Sequence, residues 1–278
     1  MPEIDDLAGT ELGERRLERC LGHGAHTAVY AAGDGQGGRW AVKVLDAAIE
    51  PPEALLARLR SDVPRLAELG DPTVVPIAGF GAEGDLTYAA SELIEGSTLA
   101  ALMAGGPIET EVAWRVLSRL ADALDGARER HLACRVLKPS NVVVDAASAP
   151  RLVEFALGAR LVGPMALASP GYRLGFPQYL APEQVEGRPA DARTDVYALG
   201  VLIFELLTAT PLFAAPTVAE VMRDVKLAPP PSAHGLNGAL PAAVDGVLRR
   251  ALAKDPAARP ASAWALLDEL IGLPAPPP

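Results

Sequence analysis

Cysteine is nearly absent: Cys20 and Cys134 are the only two in 278 residues. They lie far apart in sequence and have neither zinc-knuckle nor dithiol spacing. A disulfide scaffold and a cysteine-bound metal are therefore excluded, and a reducing, cytoplasmic compartment is expected. Positive charge is also short. Lys and Arg total 25 against 35 Asp and Glu, a formal net charge of −10. Nucleic acid and anionic lipid both want a basic footprint, so neither is expected as a partner. Long apolar runs are missing. The longest, Ala198 to Phe204, ends at Glu205, far short of the roughly 20 residues that span a bilayer. The acidic start, Met1-Pro2-Glu3-Ile4-Asp5-Asp6, is not a secretory signal.

Hydrophobic residues make up 50% of the chain, enough to bury one large domain or two lobes. Residues 16–21, 28–32 and 40–45 read as strands, with turns at Gly22-His23-Gly24 and at residues 34–38. Residues 52–69 place Leu55, Leu56, Leu59, Val63 and Leu66 at helical spacing. Pro64 predicts a kink in that helix, or a restart with Ser61 or Asp62 as N-cap. Residues 74–79 and 86–91 read as two more strands. Beyond them the chain is mainly helical: residues 98–103, then 110–130 with Thr110 as cap, then 191–208. Trp264, Leu266, Leu267 and Leu270 read as core of a last helix, and Leu273-Pro274-Ala275-Pro276-Pro277-Pro278 as the start of a stiff linker, so that a longer native chain is expected.

Between the helix at 110–130 and a short strand, Val142-Val143-Val144, lies His131 to Asn141. This stretch resembles the catalytic loop of protein kinases, H-R-D-L-K-P-x-N. Leu137, Lys138, Pro139, Ser140 and Asn141 keep the frame. Cys134 stands at the histidine, and Val136 at the aspartate that accepts the substrate hydroxyl proton in that family. Other stretches agree in order. Leu21 to Tyr30 resembles the glycine-rich loop, with Thr27 at its third glycine. Ala41-Val42-Lys43 resembles the strand whose lysine pairs with the nucleotide phosphates. Ser91 to Gly96 resembles the hinge, Glu154-Phe155-Ala156 the metal-binding D-F-G turn, and Gly175 to Gln184 the G-T-P-x-Y-M-A-P-E-Q segment, with Phe176 at its threonine. Asp195 to Gly200 and Arg249 to Pro260 match two scaffold motifs, and the latter implies a buried Glu183–Arg259 pair.

The resemblance implies a bilobal protein kinase fold of the α+β class. Its N-lobe would be a five-stranded antiparallel sheet with one helix, and its C-lobe mainly helical. The divisions expected are an extension at 1–10, the N-lobe at 11–91, the hinge at 92–96, the C-lobe at 97–272 and a Pro-rich tail at 273–278. The bacterial enzymes of the Ser/Thr branch are the nearest pattern. By the same resemblance Val29 and Ala41 would cover an adenine, Val143 would underlie it, and Ser91 would back it. Glu92 and Ile94 would offer backbone bonds, and Gly22, Gly24 and Lys43 would meet phosphate. Asp62 counts to the helical acid that holds this lysine, a role as open as the N-cap; Glu53 is a weaker substitute. Asn141 and Glu154 would be the metal ligands, with Glu154 ill-sized for Mg²⁺. Valine has no lone pair and cannot take a proton. The expectation is therefore a pseudokinase with no intact catalytic set beyond the retained Lys138. It would bind ATP weakly, gain little from Mg²⁺, and serve partner proteins in signalling as a regulatory or scaffolding module. The alternative is a Ser/Thr kinase of low residual activity.

Overall fold

A computed structural model of the chain describes residue 4 and residues 6–24, 27–46, 52–155, 157 and 177–273. Phe176, Ala156 and residues 274–278 of the proline-rich tail lie outside the described residues. The first lobe is a sheet of β1 (Glu11–Leu12), β2 (Arg15–Gly24), β3 (Thr27–Gly33), β4 (Arg39–Asp46), β5 (Ile77–Glu83) and β6 (Leu86–Glu92). The order is β1-β2-β3-β4-β6-β5, with each neighbouring pair antiparallel. Six strands replace the five expected, because Glu11–Leu12 folds back onto Arg15–Arg16. Gly13 makes that turn at φ +60, and a Cβ there would lie 2.5 Å from the Tyr88 hydroxyl, so only glycine suits the position. Asp34 shapes the β3–β4 turn: its Oδ1 accepts from the amides of Gln36 and Gly38, each at 2.9 Å.

Alternation divides the sheet into two faces. Ala28, Tyr30, Ala32, Val42 and Val44 join Leu12 and Leu17 in one buried cluster. On the other face Leu45, Ile77 and Ala89 pack against Leu55 and Leu59 of α1 (Pro52–Ala67). This helix runs continuously through Pro64, with no restart at Ser61 or Asp62. Pro64 is exposed and Arg60, whose carbonyl loses its amide partner, is exposed too, so water replaces the missing bond. The strand expected at 74–79 begins later, at Ile77, since residues 73–75 instead bond the other lobe: Leu152 N–H donates to Thr73 O at 2.6 Å, and Val75 N–H to Leu152 O at 3.0 Å.

The second lobe contains α2 (Leu99–Ala104), α3 (Thr110–Glu129), α4 (Pro182–Val185), α5 (Ala192–Thr208), α6 (Val218–Leu227), α7 (Ala233–Leu236), α8 (Val244–Ala251) and α9 (Ala263–Ile271). Thr98, not Thr110, is a capping side chain here, accepting from Ala101 N–H; the residue before α3 is Glu109. α5 is buried from Thr194 to Glu205, as an all-round apolar helix must be. A small sheet of β7 (Ser97–Thr98), β8 (Val142–Val144) and β9 (Pro150–Leu152) faces the first lobe. The implied scaffold pair is present. Arg259 grips Glu183 with two bonds of 2.7 and 2.8 Å, both side chains almost wholly buried, and Thr194 Oγ1 donates to the same carboxylate at 2.8 Å. No helix among the described residues is long and apolar enough to cross a membrane.

Candidate active site

The cleft between the lobes is built first by strand register. Val29 lies opposite Lys43 on β3 and β4, and Ala41 lies opposite Ser91 on β4 and β6. These four share one face of the sheet. All are half-buried, as is Val143 on β8 across the cleft. Gly22 and Gly24 sit at the open end of β2, paired with Val29 and Thr27. Glu92 closes β6, and Ile94 follows it half-buried. Apolar surface above and below a slot, with lysine at its inner end, suits a flat base carrying phosphates.

Charge gathers at the inner end. Lys43 Nζ donates to Glu154 Oε2 at 2.5 Å, and both side chains are about one-sixth exposed (16% and 17%). Glu154 holds a left-handed backbone at φ +63, a conformation that costs a non-glycine residue on the order of 1–3 kcal/mol. Burial pushes its carboxyl up, but the ammonium groups of Lys43 and Lys138 and hydrogen bonds from Lys43 and Asn141 more than offset this, so it lies below its ordinary value. Burial also acts on Lys138, lowering it to about 8 against the pull of Glu154 and with a further push from Lys43. Two of the four lysines in the sequence therefore meet one carboxylate here.

The loop before them is held by its backbone. Asp195 on α5 accepts from the amides of Cys134 at 2.8 Å and Arg135 at 3.0 Å. Gln184 Nε2 donates to Arg135 O at 2.7 Å, and Asn141 Nδ2 to Val136 O at 3.1 Å. Val136 is thus anchored in the frame where the resemblance places a proton acceptor. Cys134 is buried, and desolvation with the Asp195 charge pushes its thiol well up, which suits packing and not nucleophilic chemistry.

Asp62 takes neither role open to it. It lies inside α1, so it is no N-cap, and its Oδ2 accepts from Arg135 Nη1 at 3.0 Å while Lys43 pairs with Glu154. The short aspartate side chain points to the loop and not to β4. Arg65, one turn on, donates to Arg130 O, a second link between α1 and the other lobe. Glu53 is exposed in the first turn of α1. Sequence reasoning missed Arg135 as the partner of Asp62. The signal available was an arginine beside Val136 and an acid on a helix already placed next to the cleft.

With this geometry in hand, the sequence profile of the protein kinase domain matches residues 15–270. The chain belongs to the protein kinase domain family. Its relatives lie in the bacterial Ser/Thr branch. This kinase domain is 35% identical over 271 residues to the serine/threonine-protein kinase Pkn1 of Myxococcus xanthus, covering 96% of this chain and 39% of Pkn1. It is 31% identical over 262 residues to PknD of Mycobacterium tuberculosis, covering 93% of this chain and 39% of PknD. The chain therefore spans about two-fifths of the length of these curated relatives (39%). The crystal structure of the Mycobacterium tuberculosis PknI kinase domain superposes with a TM-score of 0.73 at 26% identity, covering 95% of this chain and 97% of that one. The bilobal α+β kinase fold expected from the motifs is what the kinase domain has.

Proposed function

We propose that this kinase domain is a pseudokinase: a nucleotide-binding regulatory module, in the cytoplasm, that presents its two lobes, joined at 92–96, to partner proteins. The observation that carries the reading is Val136, held in the catalytic-loop frame by Asp195, Gln184 and Asn141. The nearby carboxylates are engaged: Glu154 with Lys43, Asp62 with Arg135, and Asp195 with loop amides. None takes the place of a general base.

The residues fit a nucleotide better than its metal. Val29, Ala41, Ser91 and Val143 line the base slot, and Lys43 and Lys138 supply two positive charges for phosphates. Of the two candidate ligands for Mg²⁺, Glu154 is bound to Lys43, and Asn141 bonds both Glu154 and Val136 O. Mg²⁺ wants near-ideal octahedral oxygen geometry, which this pair does not offer. ATP is therefore expected to bind weakly and to gain little from the ion.

A second reading, a working Ser/Thr kinase, draws support from the relatives, which bear kinase names, and from the retained Lys43, Lys138 and Asn141. Phosphoryl transfer depends chiefly on positioning and charge, so these residues would sustain slow turnover. Radiolabelled ATP with Mg²⁺ or Mn²⁺ and a generic Ser/Thr substrate separates the two. The pseudokinase reading expects no label above that of Lys43→Met; label that this variant abolishes would replace it with the kinase reading.

A further inference from the structure

We propose that the segment Pro274-Ala275-Pro276-Pro277-Pro278 turns back along α9 and docks between Trp114 and Trp264 on the surface of the second lobe. The inference goes beyond the proposed function and is independent of phosphate transfer. The groove is a cavity of about 620 Å³ between one face of α3, the start of β9 and the first turn of α9. Glu111, Trp114, Arg115, Ser118, Arg119 and Asp122 follow helical spacing along that face. The opposite side of the helix, with Val116, Leu117 and Leu120, is buried. Trp114 therefore stands on the solvent side of an amphipathic helix, 38% exposed, where the core does not call for a large apolar ring. Two of the three tryptophans in the sequence meet at this one groove.

The occupant follows from the lining and from where the chain leaves the domain. The charges of the rim cancel in place: Arg115 pairs with Glu111 at 3.0 Å and Arg119 with Asp122 at 3.8 Å. An uncharged guest suits such a rim better than an ionic one. Trp264 is a fixed plate. Its Nε1 donates to Asp122 at 2.8 Å, and Asp125 accepts from the amides of Ala263 and Trp264 at 2.9 and 3.0 Å. Flat indoles inside a self-neutralised rim match a polyproline helix, which docks in aromatic grooves and has little freedom to lose. The described residues end at Leu273, half-buried against the core cluster that α9 helps to build. Four of the next five residues are proline, so the segment starts at the domain surface, on the helix that carries Trp264. Reach agrees. Trp264 precedes Leu273 by nine positions, about 14 Å at the helical rise, and five residues of polyproline span about 15 Å.

The three tryptophans make the test direct, since each indole N–H gives its own NMR resonance, assigned with Trp40→Phe, Trp114→Phe and Trp264→Phe. Wild type is compared with the full chain carrying Pro274→Ser, Pro276→Ser, Pro277→Ser and Pro278→Ser together. The Trp114 and Trp264 resonances are expected to shift, and that of Trp40, on β4 of the other lobe, to stay. The probe is the peptide acetyl-Pro-Ala-Pro-Pro-Pro-amide at millimolar concentration, the effective concentration that a short tether gives. Added to the serine variant it should return both resonances toward their wild-type positions; added to wild type, whose groove is filled, it should move neither. When Trp114→Ala is added to the serine variant, the peptide should no longer move Trp264. Unchanged Trp114 and Trp264 resonances in the serine variant, or equal shifts in all three tryptophans, would overturn the proposal. A difference that appears only as protein concentration rises would overturn it as well, by placing the segment in a second copy.

Discussion

Whether this cleft can transfer phosphate turns on single atoms. A carboxylate restored by Val136→Asp would stand beside Glu154, whose oxygen is already tied to Lys43, and residues that act as a unit do not recover one at a time. Val136→Asp alone is therefore expected to give no radiolabel transfer above Lys43→Met; robust transfer would show Glu154 to be harmless. Lys138 offers a pH handle. With its ammonium lowered to about 8 from 10.5, it is charged near neutrality and loses charge as pH rises through 8. A phosphate ligand favours the charged form, so ATP affinity should be level near pH 7 and fall above about pH 8. Calorimetric titration of wild type and Lys138→Met across that range checks this: the variant should bind more weakly at pH 7 and show a flat profile.

Helix α1 is the element whose role changed most between sequence and structure. Its anchor is the Asp62–Arg135 pair, with side chains 9% and 21% exposed, and not a bond to Lys43. Asp62→Ala should therefore lower stability by about 1–3 kcal/mol, between the values for exposed and buried pairs. Its ATP affinity should stay within about twofold in the same titration, because no Asp62–Lys43 contact exists to lose. A large affinity loss with an unchanged melting temperature would assign Asp62 to the lysine after all. The helix itself was legible from the spacing of Leu55, Leu59 and Leu66, and the strand bearing Lys43 from its alternation. The partner of Asp62 was not, since spacing within one helix says nothing about which of two facing cations lies nearer. Pro64 misled for a related reason: whether a lost backbone bond matters depends on which side of the helix meets water. β1 was too short for any periodicity to show.

The two lobes rest on long-range pairs, and here the scaffold motifs were read most directly. Glu183 and Arg259 were paired from their motifs, and the structure joins them by two bonds across 76 residues. Arg259→Ala should cost about 3–5 kcal/mol, as expected when a buried carboxylate loses its partner. Burial pushes Glu183 up, but Arg259 holds it below its ordinary 4.5. The stabilisation from this shift is complete above pH 4.5 and lost as pH falls through the lower folded value. The melting-temperature gap between wild type and Arg259→Ala should therefore be widest near neutral pH and narrow in acid; a small, pH-independent gap would mean that the pair contributes little.

The scarcity of lysine turns the cleft into a place where covalent chemistry can report on occupancy. Four primary side-chain amines exist in the whole sequence, at positions 43, 138, 226 and 254. Partial burial and the Lys43 ammonium lower the one at 138 to about 8, and burial with Arg259 does the same for the one at 254, which lies outside the cleft and can serve as an internal reference. An acylating reagent at that pH would write the state of the cleft into the mass of one tryptic fragment. Phosphates seated between positions 43 and 138 would re-protonate the amine and shield it, so nucleotide occupancy could be followed without any turnover assay.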